Sequence, residues 1–209
     1  KTALPNPNIA LYRQLEELGV PIVFFNGYYP EYRPAAYVVA DDRQGGRMAA
    51  GYLAEKGYKR IGGIFKSDDI QGHRRYAGYL DGLSESNMSV VDSHVLWYTT
   101  ESRKLLTESA MLEQICPPEC DALVCYNDEA AIQILTALRE KKIGIPGDLA
   151  IISFDDSTFS RMSSPPLTSL HLNKEGLGAL AAKKLLALMH GEAPRSEILS
   201  WELALRGSS

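Results

Sequence analysis

Cysteine is scarce: the 209 residues contain three, Cys116, Cys120 and Cys125, clustered within one short stretch. An odd, clustered set does not make a disulfide framework. A metal or redox site would need partners, yet no histidine lies close by in sequence, Pro117-Pro118 stiffens the loop, and Cys125 falls in an apolar, strand-like run. Three reduced thiols are the plainer reading, and they suit the cytosol. Only four histidines are present, His73, His94, His171 and His190, with no H-x-x-x-H or H-E-x-x-H spacing, so neither metal nor cofactor is expected. Long apolar runs are missing as well. None approaches the roughly 20 residues that span a bilayer, and Lys1–Asn8 has no apolar core of the signal-peptide kind. Strong basicity is also absent: the formal charge is −4, a poor balance for gripping a phosphate backbone directly. Three catalytic signatures are lacking: G-x-G-x-x-G after a strand, G-x-x-x-x-G-K-[ST] and G-x-S-x-G. Gly45-Gly46 and Gly62-Gly63 read as packing glycines.

What is present is ordinary globular composition, 45% hydrophobic and 23% charged, enough for one large domain or two small lobes. Short apolar runs at Ile22–Phe25, Tyr37–Ala40, Ile61–Phe65, His94–Trp97, Ala122–Cys125, Leu149–Phe154 and Leu199–Leu205 are rich in Val, Ile and Phe. They lack strict polar alternation, which suits strands buried on both faces. Helical periodicity lies between them, at about Ile9–Leu18, from a capping Asp42 to Gly57, and at Gly72–Leu83, Glu101–Ile115, Asp128–Lys141 and Lys174–His190. Strand alternating with helix predicts parallel α/β architecture.

The residues that follow the strands carry the chemistry. Asn26, Lys66-Ser67-Asp68-Asp69, Tyr98-Thr99-Thr100, Asn127-Asp128 and Asp155-Asp156 each come directly after a strand. Ligands of open parallel sheets bind beyond the carboxyl ends of the strands. Asp and Asn also cap helices, and Asp128 and Asp156 read as such caps. Amides, carboxylates and cations with aromatic neighbours suit a small polyhydroxylated ligand: carboxylate or amide can bridge neighbouring hydroxyls, and an aromatic face covers C–H groups. Paired carboxylates also serve glycosidases, but adjacent Asp155 and Asp156 cannot readily flank one bond from opposite sides. Binding is favoured over catalysis.

The motifs in order resemble the effector-binding domains of LacI/GalR-type transcriptional repressors. They are Gly19-Val20-Pro21-Ile22-Val23, Asp41-Asp42-Arg43-Gln44-Gly45-Gly46, Gly57-Tyr58-Lys59-Arg60-Ile61, and Arg75-Tyr76-Ala77-Gly78-Tyr79. Asp121-Ala122-Leu123 with Asn127-Asp128, Ile145-Pro146-Gly147-Asp148-Leu149, Phe154-Asp155-Asp156, and Pro166-Leu167-Thr168-Ser169 follow. Ser153 stands where the family usually has Gly, and Tyr58 where it usually has His. The stretches Tyr28-Tyr29-Pro30, Phe65–Gly72, Trp97–Glu101 and Cys125–Glu129 are similar to the arabinose-responsive branch, whose members join a GntR-type winged-helix head to such a sensor.

The resemblance implies a periplasmic-binding-protein-like α/β fold, two Rossmann-like lobes with parallel sheets joined by three crossovers and the effector in the cleft. The crossovers would lie near Ala40–Asp42, Leu170–Leu172 and Gly191–Arg195. The N-terminal lobe would then be 1–41 and 172–191, incomplete in this chain, and the C-terminal lobe 42–171 and 192–209. Carried over residue by residue, Arg75 anchors the sugar, Asn127 and Asp155 bond its hydroxyls, and Asn26 approaches from the other lobe. Tyr98 or Trp97 supplies a stacking face and Lys174 reaches in beside a crossover. Lys66 and Asp69 come from the loop shared with the arabinose branch.

Each has a plainer reading. Arg75 could pair with Asp68 or Asp69 at the surface, Asp155 could bond only backbone amides, and one of Trp97 and Tyr98 should be core. Lys174 could be an exposed first-turn residue, and Tyr28 and Tyr29 could belong to a surface or interface. The expectation is a cytoplasmic, homodimeric sensor that is not an enzyme. L-arabinose would be its effector, operator DNA would be held only through a head outside this chain, and there would be no membrane partner. The alternatives are a solute-binding protein of sugar ABC transport and, third, a sugar-processing enzyme.

Overall fold

The apolar runs become the strands of two sheets in a computed structural model, which describes residues 8–209. The described residues form two units, one of 42–171 and 201–209 and a smaller one of 8–41 and 172–200.

The larger unit is built on a six-stranded sheet. Its strands are β3 (Ile61–Lys66), β4 (Val95–Tyr98), β5 (Ala122–Cys125), β6 (Ala150–Phe154), β7 (Thr168–His171) and β9 (Glu202–Ala204). They lie in the order β4-β3-β5-β6-β7-β9, and all pairings are parallel except β7 with β9. Successive side chains alternate faces. Ile64, Leu96, Tyr98, Leu123 and Cys125 enter one core with Leu106, Leu112, Ile134 and Leu138. On the other face Phe65 and Trp97 meet Tyr76 from α3 (Ile70–Glu85), which packs against α2 (Asp42–Glu55). Glycines permit that close approach: a Cβ on Gly78 would stand 1.9 Å from the Arg43 carbonyl oxygen, and one on Gly46 2.0 Å from that of Arg75.

In the smaller unit β1 (Val23–Phe25), β2 (Ala36–Ala40) and β8 (Glu197–Leu199) form a parallel sheet in the order β1-β2-β8. Helices α1 (Ile9–Glu17) and α7 (Lys174–Met189) accompany it. Tyr12, Phe24, Tyr29 and Tyr32 cluster, Tyr12 and Phe24 edge to face at 5.3 Å between centroids. Tyr28 stacks on Tyr37 at 4.0 Å. The Lys184 ammonium, almost buried, is held by the Arg195 carbonyl and by Glu197.

The parallel α/β reading holds, and four details differ from it. The run Leu199–Leu205 is not one strand: β8 pairs with β2 and β9 with β7, because the chain changes unit between Ser200 and Trp201. The third crossing therefore comes after 200 rather than at 191–195, and residues 192–200 belong with the smaller unit. The helix expected over 101–115 breaks into a 3₁₀ turn at Arg103–Thr107 and α4 (Ser109–Glu113). Leu106 and Leu112, six residues apart, would diverge on a continuous helix, and extended backbone at Glu108 lets both reach the core. Two elements carried no apolar signal. These are β7, whose buried Thr168 and Ser169 have hydrogen-bonded hydroxyls, and α6 (Thr158–Met162), capped by Ser157. No helix among the described residues is long and apolar enough to cross a membrane.

Candidate functional site

Strands β3 and β5 are neighbours in the larger sheet, but their following connections lead to opposite sides, to β4 and to β6. Such a switch point leaves a crevice beyond the strand ends. The β3 side of that seam ends in Lys66 and Asp69, the β5 side in Tyr126 and Asn127.

Lys66 Nζ lies 3.2 Å from Asp69 Oδ2 and 3.5 Å from Asp68 Oδ1. Asp69 caps α3 by accepting the Gly72 amide at 2.7 Å, and its other oxygen accepts the Tyr126 hydroxyl at 2.7 Å. Burial and the Asp69 carboxylate push the Tyr126 phenol up, and the Arg75 cation does not offset them. The Asp68 carboxyl is raised by burial but held below the usual range by the Thr100 amide and Lys66.

Arg75, from the middle of α3, is 2% exposed. Its Nε donates to Asp42 Oδ1 at 2.9 Å and its Nη1 to the Tyr126 carbonyl at 2.5 Å. Its guanidinium carbon lies 4.3 Å from the Phe154 ring centroid, 4.8 Å from Tyr126 and 5.1 Å from Trp201. Its Nη2 is 4.0 Å from Asp155 Oδ1, on a carboxylate that is 34% exposed. Arg75 therefore pairs with Asp42 in the interior and with the half-exposed Asp155, not with Asp68 or Asp69 at the surface. Asp42 begins α2 and gives its carboxylate to Arg75. Burial raises the Asp42 carboxyl and the Arg75 charge pulls against that rise.

The expected caps also change. Asn127, not Asp128, caps α5 (Asp128–Glu140): its side-chain oxygen accepts the Ala130 amide at 3.0 Å, which leaves its NH2 group to address a ligand. Asp156 caps nothing. Its carboxylate is shared among Arg161 at 2.8 Å, His171 at 3.0 Å and Arg206.

Tyr98 is core, edge-on to Tyr126 at 6.1 Å. Trp97 is half-exposed on the opposite face, among Phe65, His73 and Tyr76. Neither stands at the β3–β5 seam as an open stacking face. The aromatic groups around Arg75 are Tyr126, Phe154 and Trp201. Tyr126 had a signal, since it directly follows β5; Trp201 had none, because nothing in a single run Leu199–Leu205 marks the place where the chain changes unit. Asn26 and Lys174 belong to the smaller unit. Asn26 is exposed after β1 with φ 67, a conformation that asparagine tolerates, and Lys174 is exposed in the first turn of α7.

The cysteines are free and buried, and burial raises their thiols, to about 12 for Cys120 and Cys125. Among the described residues no group of His, Cys, Asp and Glu could hold a metal ion.

Residues 50–209 match the model of the periplasmic binding protein-like domain. The chain belongs to that family. Within it, the chain is 35% identical over 194 residues to an arabinose metabolism transcriptional repressor of Halalkalibacterium halodurans, covering 92% of this chain and 52% of the relative. It is 34% identical over 192 residues to the protein of the same description from Geobacillus stearothermophilus, covering 90% and 52%. The chain thus spans about half the length of these relatives. Among solved structures, that of the transcriptional regulator CelR–cellobiose complex superposes with a TM-score of 0.84 at 28% identity, over 95% of this chain and 62% of that one.

Proposed function

We propose that this chain is the sugar-sensing effector-binding domain of a LacI/GalR-type transcriptional repressor, with L-arabinose as effector. In this reading the smaller unit is a partial N-terminal lobe and the larger unit the C-terminal lobe. Operator DNA is held by a head domain outside this chain, in a cytoplasmic homodimer, and sugar binding releases it. The observation that carries the reading is the set of polar groups beyond the ends of β3, β5 and β6. Asp155 after β6 offers a half-exposed carboxylate beside a buried arginine, and Asn127 and Lys66 add donors at the ends of β5 and β3. This set addresses vicinal hydroxyls and has no activated nucleophile. Two relatives described as arabinose metabolism repressors support the choice of sugar.

A sensor of this kind works by population shift: the sugar moves the protein between two states only by its different affinity for each. A solute-binding protein of sugar transport would share the fold, but the relatives named above are regulators. Calorimetry on the full-length protein with a panel of pentoses and hexoses tests the proposal. L-arabinose should bind, and at a hundredfold excess over its dissociation constant it should stabilise the fold by about 2.7 kcal/mol. Asp155→Asn should weaken it. Failure of L-arabinose to bind would sink the choice of effector, and turnover of the sugar would sink the whole class.

A further inference from the structure

We infer that Asp128 is a positioning residue for the proposed sugar site, holding the turn from which Asp155 reaches Arg75. The inference rests on the functional reading above and deepens it. Asp128 opens α5 but does not cap it. Its carboxylate is buried and takes three donors from three places: Ser153 Oγ of β6 at 2.5 Å, Ser169 Oγ of β7 at 2.7 Å, and the Ser157 amide at 2.6 Å. Ser169 Oγ in turn accepts the Asp156 amide at 3.0 Å. The residues 153–157 are therefore tied to one carboxylate from both ends and through the middle.

Within that span Asp155 has φ 98 and Asp156 φ 44. Two consecutive non-glycine residues with positive φ are disfavoured and persist only where their surroundings hold them. Asp128 supplies part of that hold, acting on Ser157 directly and on Asp156 through Ser169, beside the Asp155 amide on the Leu170 carbonyl and the Asp156 carboxylate on Arg161, His171 and Arg206. The left-handed backbone brings the Asp155 carboxylate to 4.0 Å from Arg75 Nη2. If the turn relaxed to ordinary backbone, Asp155 would leave that position. Asp128 shapes the site without itself touching the ligand. Asparagine at 128 could still accept from the two serine hydroxyls, but its NH2 group cannot accept the Ser157 amide.

The test uses the full-length protein with Asp128→Asn, Asp155→Asn and the double variant. Two readouts are needed: L-arabinose affinity by calorimetry, and titration of the Asp155 carboxyl by carbon NMR without sugar. Asp128→Asn alone should weaken binding about tenfold, and in the Asp155→Asn background by less than about twofold, because the two act through one group. In ligand-free protein it should raise the Asp155 titration midpoint, since the carboxylate moves away from Arg75. Additive losses, or an unmoved Asp155 titration, would overturn the inference. If the wild type binds no sugar, the functional reading fails and the titration alone decides the positioning claim. Should Asp128→Asn not fold, Ser169→Ala, which removes the acceptor of the Asp156 amide, must move the Asp155 titration in the same direction. Ser153→Ala, which frees no amide of the turn, must leave it in place.

Discussion

Arg75 Nε donates to Asp42 Oδ1 at 2.9 Å, and the two side chains expose no more than 3% and 1% of their surface. The pair joins the middle of α3 to the first turn of α2. The guanidinium is thus a structural ion as well as the neighbour of Asp155. Truncating one member of a buried pair strands the other charge. Arg75→Ala should therefore cost about 3–5 kcal/mol in urea unfolding. A loss under about 1 kcal/mol, the level of an exposed pair, would show that the pair is not buried in solution.

Stability should fall in acid through Asp156. Burial raises its carboxyl, but Arg161 and Arg206 outweigh burial and hold it below the usual carboxylate range. The folded value lies below the unfolded value of about 3.9, so the contribution is fully present above pH ~4 and lost as pH falls through the folded value. Urea unfolding at pH 5, 4 and 3 should show the wild type losing stability more steeply than Asp156→Asn. Equal slopes would count against this account.

The helix pair of α2 and α3 makes a paired prediction. Gly78→Ala places a methyl 1.9 Å from the Arg43 carbonyl oxygen and must push α2 and α3 apart, at about 1–3 kcal/mol or more. Gly51→Ala, in the same helix pair, meets nothing within 4 Å and should stabilise by about 0.5–1 kcal/mol through helix propensity. Thermal unfolding of both variants checks the contrast, and a harmless Gly78→Ala would contradict the packing described.

Thiol labelling should be silent in the native state. With Cys120 and Cys125 pushed up to about 12 by burial, the reactive thiolate is scarce at pH 8. A thiol reagent should find three groups only after denaturation. Rapid native labelling of Cys120 or Cys125 would be inconsistent with this core.

Much of the fold was legible because burial on both faces writes itself as unbroken apolar runs. Ile61–Phe65, Ala122–Cys125 and Leu149–Phe154 are strands for that reason. The polar strand Thr168–His171 was illegible because its hydroxyls are satisfied by Asp128 and the Arg206 amide, and its Thr168 amide by the Ser208 hydroxyl, all partners distant in sequence. The site was legible as a set of positions after strands, since a parallel sheet brings the ends of β3, β4, β5 and β6 to one edge. Which oxygen caps and which binds was not. Asn127 and Asp128 are equivalent as cap candidates until the serines of β6 and β7 arrive beside one of them.

By itself, the sequence determined the parallel α/β class, the strand ends that carry polar groups, and the family resemblance, all of which follow from local composition and order. Only tertiary structure decided that Arg75 is sealed among three aromatic rings and Asp42, that Tyr98 rather than Trp97 is the one in the core, and that Asp128 is a hub rather than a cap. These are relations between residues tens of positions apart. Their energies depend on desolvation and on partners that no local pattern of the chain encodes.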